Sequence, residues 1–75
     1  MIEAVADIVG TVWKITSRVG DQVVPGDTVA VLESMKMEVP VTAPGSGYVS
    51  RILVEVDQIV QAGDPIVEID PTAGA

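Results

Sequence analysis

The fold is decided by a stretch that occurs twice in the chain, ADIVGTVWKITSRVGDQVVPGDTVAVLE at residues 6–33 and APGSGYVSRILVEVDQIVQAGDPIVEID at residues 43–70. A shift of 37 positions aligns the two copies without a gap. All but one of the identical pairs fall on glycines and apolar positions, where backbone geometry and core packing restrict the choice of residue most, and the exception is an aspartate of the turns. These pairs are Ala6/Ala43, Gly10/Gly47, Val12/Val49, Ile15/Ile52, Val19/Val56, Val23/Val60, Gly26/Gly63 and Asp27/Asp64. The 75 residues therefore form two copies of one structural unit and, we expect, a single domain over residues 1–75.

Both copies are typical of short β-strands separated by tight turns. Val and Ile dominate the apolar residues, and β-branched side chains suit a pleated, half-buried surface. In the turn Pro25-Gly26-Asp27, proline presets φ and glycine accepts a positive φ at the next position. No window shows a helical period. We expect strands at 11–19, 23–24, 28–32, 48–56 and 66–69. An all-β fold follows, with the two halves packed as pseudo-symmetric layers of a small sandwich or flattened barrel.

The composition excludes several classes of function. Eleven acidic residues against four basic ones give a net charge of -7, which disfavours binding to nucleic acid and to anionic membranes. The chain lacks cysteine and histidine, so disulfides and histidine-based triads are impossible and no metal site is expected. The N-terminus is acidic where a signal peptide is basic, and no apolar run approaches the about 20 residues of a membrane span. A cytoplasmic location is expected.

The segment Glu33-Ser34-Met35-Lys36-Met37-Glu38 joins the halves and breaks the rules of turn composition. It contains no Gly, Pro, Asn or Asp, the residues that turns favour for stereochemical reasons. A local rule that fails without structural benefit often marks a functional site. The alternative is a solvated turn lysine whose neighbouring methionines fold back onto the core. The repeat places this hairpin at one end of the molecule and both termini at the other, because Lys36 is equivalent to position 73.

This segment resembles the attachment sequence of the biotin/lipoyl attachment family, of the biotin carboxyl carrier type, in which the lysine of Met-Lys-Met receives biotin. The resemblance extends from about Ala4 to Asp70, and includes the motifs at residues 19–27 upstream and 43–49 downstream. Related lipoyl domains share the fold, but their lysine is usually preceded by Asp and followed by Ala or Val. Met35 and Met37 therefore favour biotin over lipoate.

The resemblance implies a flattened barrel, or barrel-sandwich hybrid, of two pseudo-symmetric four-stranded sheets with the modified lysine on a hairpin. It implies that a biotin protein ligase joins biotin to Lys36, and that the arm carries a carboxyl group between biotin carboxylase and carboxyltransferase. The chain would then be a non-catalytic carrier of a carboxylase or transcarboxylase system. Ligase recognition is assigned to the residues around the lysine, Met35, Met37, Glu33, Ser34 and Glu38.

Other readings of the sequence stay open. The chain could be a lipoyl carrier or accept both cofactors, or be an unmodified interaction module; an enzyme acting alone is disfavoured, since no motif organises the carboxylates. Trp13 is expected to be a partly buried packing residue. One departure from the family concerns the fold: Asp57-Gln58 stands where the first copy has Gly20-Asp21. Asp tolerates left-handed backbone conformations better than most residues, so this turn should persist.

Overall fold

A computed structural model describes residues 1–71 and shows eight β-strands. Residues 72–75, including the position equivalent to Lys36, lie outside the described residues. The strands are β1 (Ile2–Val5), β2 (Gly10–Ile15), β3 (Gln22–Val23), β4 (Thr28–Ser34), β5 (Met37–Thr42), β6 (Gly47–Ile52), β7 (Ile59–Val60) and β8 (Pro65–Asp70). The all-β prediction is confirmed.

Two four-stranded antiparallel sheets form the fold. Sheet A has the strand order β1-β8-β6-β3, and sheet B has the order β5-β4-β2-β7. The prediction of two pseudo-symmetric four-stranded sheets is confirmed, but the expectation that each half forms its own layer is wrong. β3 of the first copy pairs with β6 of the second, and β7 of the second copy pairs with β2 of the first. Each sheet therefore contains strands of both copies.

Both long strands end earlier than the sequence predicted. β2 ends at Ile15, and the hydroxyls of Thr16 and Ser17 donate to the carbonyl oxygens of Thr28 and Val29 at 3.0 Å. These bonds hold the chain against β4 after it leaves the ladder. The expected strand at 48–56 likewise ends at Ile52.

Equivalent turns in the two copies use equivalent hydrogen bonds. The Asp27 and Asp64 carboxylates accept the N–H groups of Val24 and Gln61, respectively. Asp57 has φ of 75°, so it adopts the left-handed conformation that glycine adopts at the equivalent position of the first copy. The prediction that this turn persists with Asp is confirmed.

The core lies between the two sheets and consists of small and β-branched side chains. Residues alternate between the core and the outer face along much of the strands, whereas adjacent residues enter the core near the start of β4 and of β8. The largest fully buried side chains are Leu32, Ile66, Ile69, Val12, Val29, Val49, Val60 and Val67. No buried polar side-chain atom of the described residues lacks a hydrogen-bond partner. Burial of each such aliphatic side chain contributes about 1.5–3 kcal/mol.

Two glycines allow close approach of strands at equivalent points. A Cβ on Gly10 would lie 2.8 Å from the carbonyl oxygen of Glu33, and one on Gly47 would lie 2.5 Å from that of Asp70. Both distances are shorter than non-bonded atoms tolerate. Gly10 thus lies beneath the base of the β4–β5 hairpin, and its identity across the repeat has a steric cause.

The hairpin lies at the opposite end of the molecule from the start of β1 and the end of β8, and the molecule measures 39 × 18 × 17 Å. Val60 pairs with Gly10, at the level where β4 turns into β5, so the turn after β7 lies at the hairpin end. From that turn β8 runs toward the other end, where Ile2 pairs with Ile69. In residues 1–71, no helix is long and apolar enough to cross a membrane.

Candidate functional site

The β4–β5 hairpin contains all six predicted site residues. Ser34 and Met37 form its last cross-strand pair, so Met35 and Lys36 are a two-residue loop. Their φ angles are 52° and 66°, both in the left-handed region. Positive φ at both central positions of a two-residue hairpin loop is the type I′ turn, whose twist matches that of the flanking strands. The backbone geometry of the turn is ordinary, and only its residues are unusual.

Methionine and lysine are costly choices for this turn. Type I′ turns strongly favour Asn-Gly, because the left-handed conformation costs a residue with a Cβ about 1–2 kcal/mol. The register of six residue pairs between β4 and β5 holds the two residues in place. The strain is therefore offset by the sheet, and the loop keeps one defined conformation at the tip.

The side chains of the tip project into solvent. Met35 is 90% exposed and Met37 is 66% exposed, so the alternative in which the methionines fold onto the core is wrong. Lys36 is exposed, and its Nζ makes no hydrogen bond or ion pair with any residue from 1 to 71. A free primary amine thus stands at one extreme of the molecule, between two accessible thioethers.

Glu33 and Glu38 face each other directly across the two strands just below the tip. Both side chains are exposed, and like charges at a directly opposed pair destabilise a sheet. Ser34 is half-buried beside Gly10. The hairpin therefore carries a second feature that reduces stability, two opposed carboxylates within a few residues of the amine.

Sequence reasoning identified these residues but missed two structural supports of the site. Gly10 lets β2 approach the hairpin base, and the repeat contained the signal, since Gly10 and Gly47 are an identical pair. The left-handed conformation of Met35 and Lys36 had no signal in their residue types.

Trp13 and a surface depression both lie away from the hairpin tip. Trp13 lies on the outer side of sheet B with 45% of its side chain exposed, and Lys14 Nζ lies 4.8 Å from the centre of its ring. A depression of about 220 Å³ between β1 and β5 is lined by Glu3, Ala4, Val5, Asp7, Thr42 and Pro44. It contains none of the predicted site residues.

Comparison with known proteins gives consistent results. Residues 3–69 match the biotin/lipoyl family model, which is described as "Biotin-requiring enzyme". The chain is 47% identical over 64 residues to a biotinylated protein TB7.3 homolog of Mycobacterium leprae, covering 85% of this chain and 90% of that protein. It is 48% identical over 59 residues to the biotin carboxyl carrier protein of acetyl-CoA carboxylase of Solanum lycopersicum, covering 79% and 84% of the two chains. The crystal structure of Kluyveromyces lactis urea carboxylase matches with a TM-score of 0.86 and 38% identity, over 91% of this chain and 6% of that one.

Proposed function

The chain belongs to the biotin/lipoyl attachment family, and on that premise we propose that it is a biotin carboxyl carrier whose attachment point is Lys36. The exposed tip of the type I′ turn carries this proposal. Within residues 1–71 the Lys36 amine has no hydrogen-bond or ion-pair partner, so an amide bond at Nζ breaks no interaction with that part of the chain. The relatives named as biotinylated or as carboxyl carriers support biotin as the attached group.

The residues present fit such a group. The turn is fixed by the β4–β5 ladder, whereas the lysine side chain beyond Cα is free in solvent. A stiff backbone with a loose side chain keeps the point of attachment defined while the arm moves. Biotin, when bound, supplies a ring nitrogen that takes up and releases a carboxyl group; the protein supplies position and recognition.

The chain does not activate its own nucleophile. A lysine amine must lose a proton before it attacks an activated carboxyl carbon. The nearest ionisable groups in the strand register are Glu33 and Glu38, and neither makes a hydrogen bond to Nζ. We therefore assign activation of the amine to the ligase, which makes this chain a substrate and carrier rather than an enzyme.

Recognition by the ligase is assigned to the residues that the fold alone does not explain. Met35 and Met37 expose large apolar side chains at the tip, and flexible thioethers adapt to a partner surface. Glu33 and Glu38 stay opposed although this opposition reduces stability. Ser34 lies between Glu33 and Met35 in the chain, and we assign it to the same recognition surface. Residues 1–75 would form one attachment domain, whose hairpin would present the attached group to a biotin carboxylase, the source of the carboxyl group, and then to a carboxyltransferase, which takes it up.

The deciding experiment is intact-mass analysis with a streptavidin blot, on protein treated with active biotin protein ligase, ATP and biotin. We expect one biotinyl group on the native chain and none on Lys36→Arg. Lys14→Arg is the matched control, because Lys14 is the only other lysine, and it should be modified as the native chain is. An adduct that persists in Lys36→Arg would refute the assignment of the site.

The same protein is used to test the lipoyl alternative, because the matching family model covers both biotin and lipoyl attachment domains. Incubation with a lipoate ligase, ATP and lipoate should leave the mass unchanged. A lipoyl adduct without a biotinyl adduct would replace biotin with lipoate in the proposal and leave Lys36 as the site.

A further inference from the structure

The outer face of sheet B carries apolar side chains along one row of paired residues, which ends at the charged Lys14. Val31 pairs with Pro40 on one side and with Lys14 on the other, and Trp13 occupies the bulge of β2 beside them. Val31 is absent from the core cluster, unlike its neighbour Leu32, so it points outward; it is nevertheless only 9% exposed. Side chains beside it on the outer face therefore cover it.

The equivalent row of sheet A is polar. Glu68 pairs with Glu3 on one side and with Arg51 on the other, and Ser50 occupies the bulge of β6. The Ser50 hydroxyl bonds to the Glu68 carboxylate at 3.2 Å and to its carbonyl oxygen at 3.1 Å. In sheet A these two positions hold the hydrogen-bonded pair Ser50 and Glu68. The equivalent positions of sheet B hold Trp13 and Val31.

The repeat thus provides an internal control for what the fold requires. Both rows have the same register and the same bulge, so the backbone accepts polar side chains at these positions. Ile59, 70% exposed at the end of the adjacent row of sheet B, is equivalent to the polar Gln22 of sheet A. The backbone therefore does not require apolar residues at these positions of sheet B, and large parts of Trp13 and Ile59 stay exposed. We call Trp13, Val31, Pro40 and Ile59 the apolar face.

The apolar face continues into the Lys36 hairpin. β4 carries both Val31 and the start of the hairpin, and the Glu33–Glu38 pair lies between them. Pro40 is four residues from Lys36, about 10–13 Å along an extended strand. A standard interface covers about 800 Å² on each partner, a patch roughly 30 Å across. One partner surface therefore spans the tip and the apolar face together.

We propose that the apolar face docks the biotin protein ligase, an inference that rests on the proposed function of Lys36. Before modification the lysine has no long arm, so the ligase must lie against the hairpin itself. After modification the arm adds reach, so partners that act later depend less on contact with the strands beside the hairpin. Exposed apolar patches mark interaction sites, and tryptophan is enriched among residues that dominate binding energy. The ligase surface should present apolar groups opposite Trp13 and Ile59, and basic groups opposite Glu33 and Glu38.

The test exchanges residues between the two copies. The variant Trp13→Ser/Ile59→Gln receives the residues found at the equivalent positions 50 and 22, with no change in charge. The control is Val24→Gln, which replaces a 49% exposed valine on the other end of the molecule with the residue at equivalent position 61. Steady-state biotin transfer by purified ligase is measured for each, and thermal unfolding confirms that all are folded at the assay temperature.

We expect the exchange variant to raise KM for the carrier by about tenfold or more with kcat little changed, since lost docking removes uniform binding. Val24→Gln should stay within about twofold of the native chain, because an exposed residue outside an interface contributes little to binding. A KM unchanged by the exchange would overturn the proposal.

A second measurement separates docking from chemistry. Unmodified Lys36→Arg carrier is added as a competitor of native carrier, and the inhibition constant is compared with and without Trp13→Ser/Ile59→Gln. A competitor that inhibits equally well with both exchanges would also overturn the docking site. If the native chain accepts no biotin at all, the proposed function fails and this proposal fails with it. Biotin transfer to Lys36 that proceeds equally in the exchange variant refutes the docking alone.

Other occupants have distinct signatures. If the exchange leaves ligation unchanged but raises KM of the loaded carrier for a biotin carboxylase, the apolar face belongs to that partner and the ligase assignment is wrong. If sedimentation shows a native dimer that the exchange dissociates, a second copy of the chain occupies the face.

Discussion

At the scale of single residues, the tip of the hairpin combines an ordinary turn with unsuitable residues. Met35 and Lys36 both adopt left-handed conformations, where Asn-Gly would be more stable. Because nothing within the fold benefits from their side chains, which project into solvent, the strain points to a role outside the fold. Stability and recognition should therefore respond in opposite directions to substitutions here.

Met35→Asn should raise the free energy of unfolding by about 0.5–1 kcal/mol, because Asn tolerates the left-handed conformation better than Met. Urea denaturation followed by circular dichroism measures the gain. The same variant should accept biotin more slowly, since a recognition side chain is lost. Met37→Asn is the matched control: Met37 lies in β5 without a positive φ, so it should show the slower ligation without the gain in stability. Equal stability changes in the two variants would contradict the account of the turn.

Glu33→Gln should stabilise the hairpin by about 0.2–1 kcal/mol, because it removes a like-charge opposition across β4 and β5. The gain should shrink when urea denaturation is repeated in 1 M salt, where the Debye length falls to about 3 Å. Biotin transfer to Lys36 should also slow, because the proposed contact between the Glu33 carboxylate and the ligase is lost. A loss of stability on substitution would show that Glu33 has a structural role instead.

At the scale of strands, the close approach at the two equivalent glycines fixes how each sheet is assembled. Gly47→Ala should lower the free energy of unfolding by about 1–3 kcal/mol, since the new Cβ would lie 2.5 Å from the backbone oxygen of Asp70, which cannot move freely. Gly45→Ala is the control. Its Cβ would meet only the terminal methyl of Ile2, at 3.0 Å, and a side-chain tip can shift. Similar losses in both variants, measured by thermal denaturation, would contradict the steric account.

How much of the fold followed from sequence also depends on scale. The repeat predicted which residues are equivalent, and hence the turns, the glycines and the position of Lys36. It could not predict that β3 and β7 cross into the opposite sheet, because a two-residue strand contains no information on its partner. It also could not predict that β2 ends at Ile15, after which Thr16 and Ser17 bond to carbonyl groups twelve positions away.

The grouping of the candidate site residues followed from the sequence, unlike the strand pairing. The side chains that the motif names all lie within residues 33–38, so a single hairpin brings them together. The left-handed conformation of Met35 and Lys36 could not be predicted from their residue types. Met and Lys have no preference for it, and the β4–β5 ladder imposes it. Tertiary structure overrode local propensity at the position where the function is proposed.

At the scale of the whole molecule, the topology predicts slow folding. Within residues 1–71, only β4 and β5 pair as consecutive strands, and every other pair closes a longer loop. Domains dominated by such distant pairing fold in milliseconds to seconds. Stopped-flow fluorescence of the single tryptophan, Trp13, should give a refolding rate of about 1–1000 s⁻¹ in water. Refolding within microseconds would be incompatible with this topology.

The hairpin lies far from the strand ends at Ile2 and Asp70, and this distance determines how far the lysine can travel. Ile2 and Asp70 lie at the end of the 39 Å axis remote from Lys36, so any anchor attached there becomes a pivot and the folded body a radius. When the domain rotates about such a pivot, the amine moves along an arc. The radius of this arc is the length of the folded domain rather than that of a flexible linker. For the carrier proposed above, rotation of the rigid domain would cover most of the distance between two reaction centres tens of ångströms apart, and the lysine side chain would cover the rest.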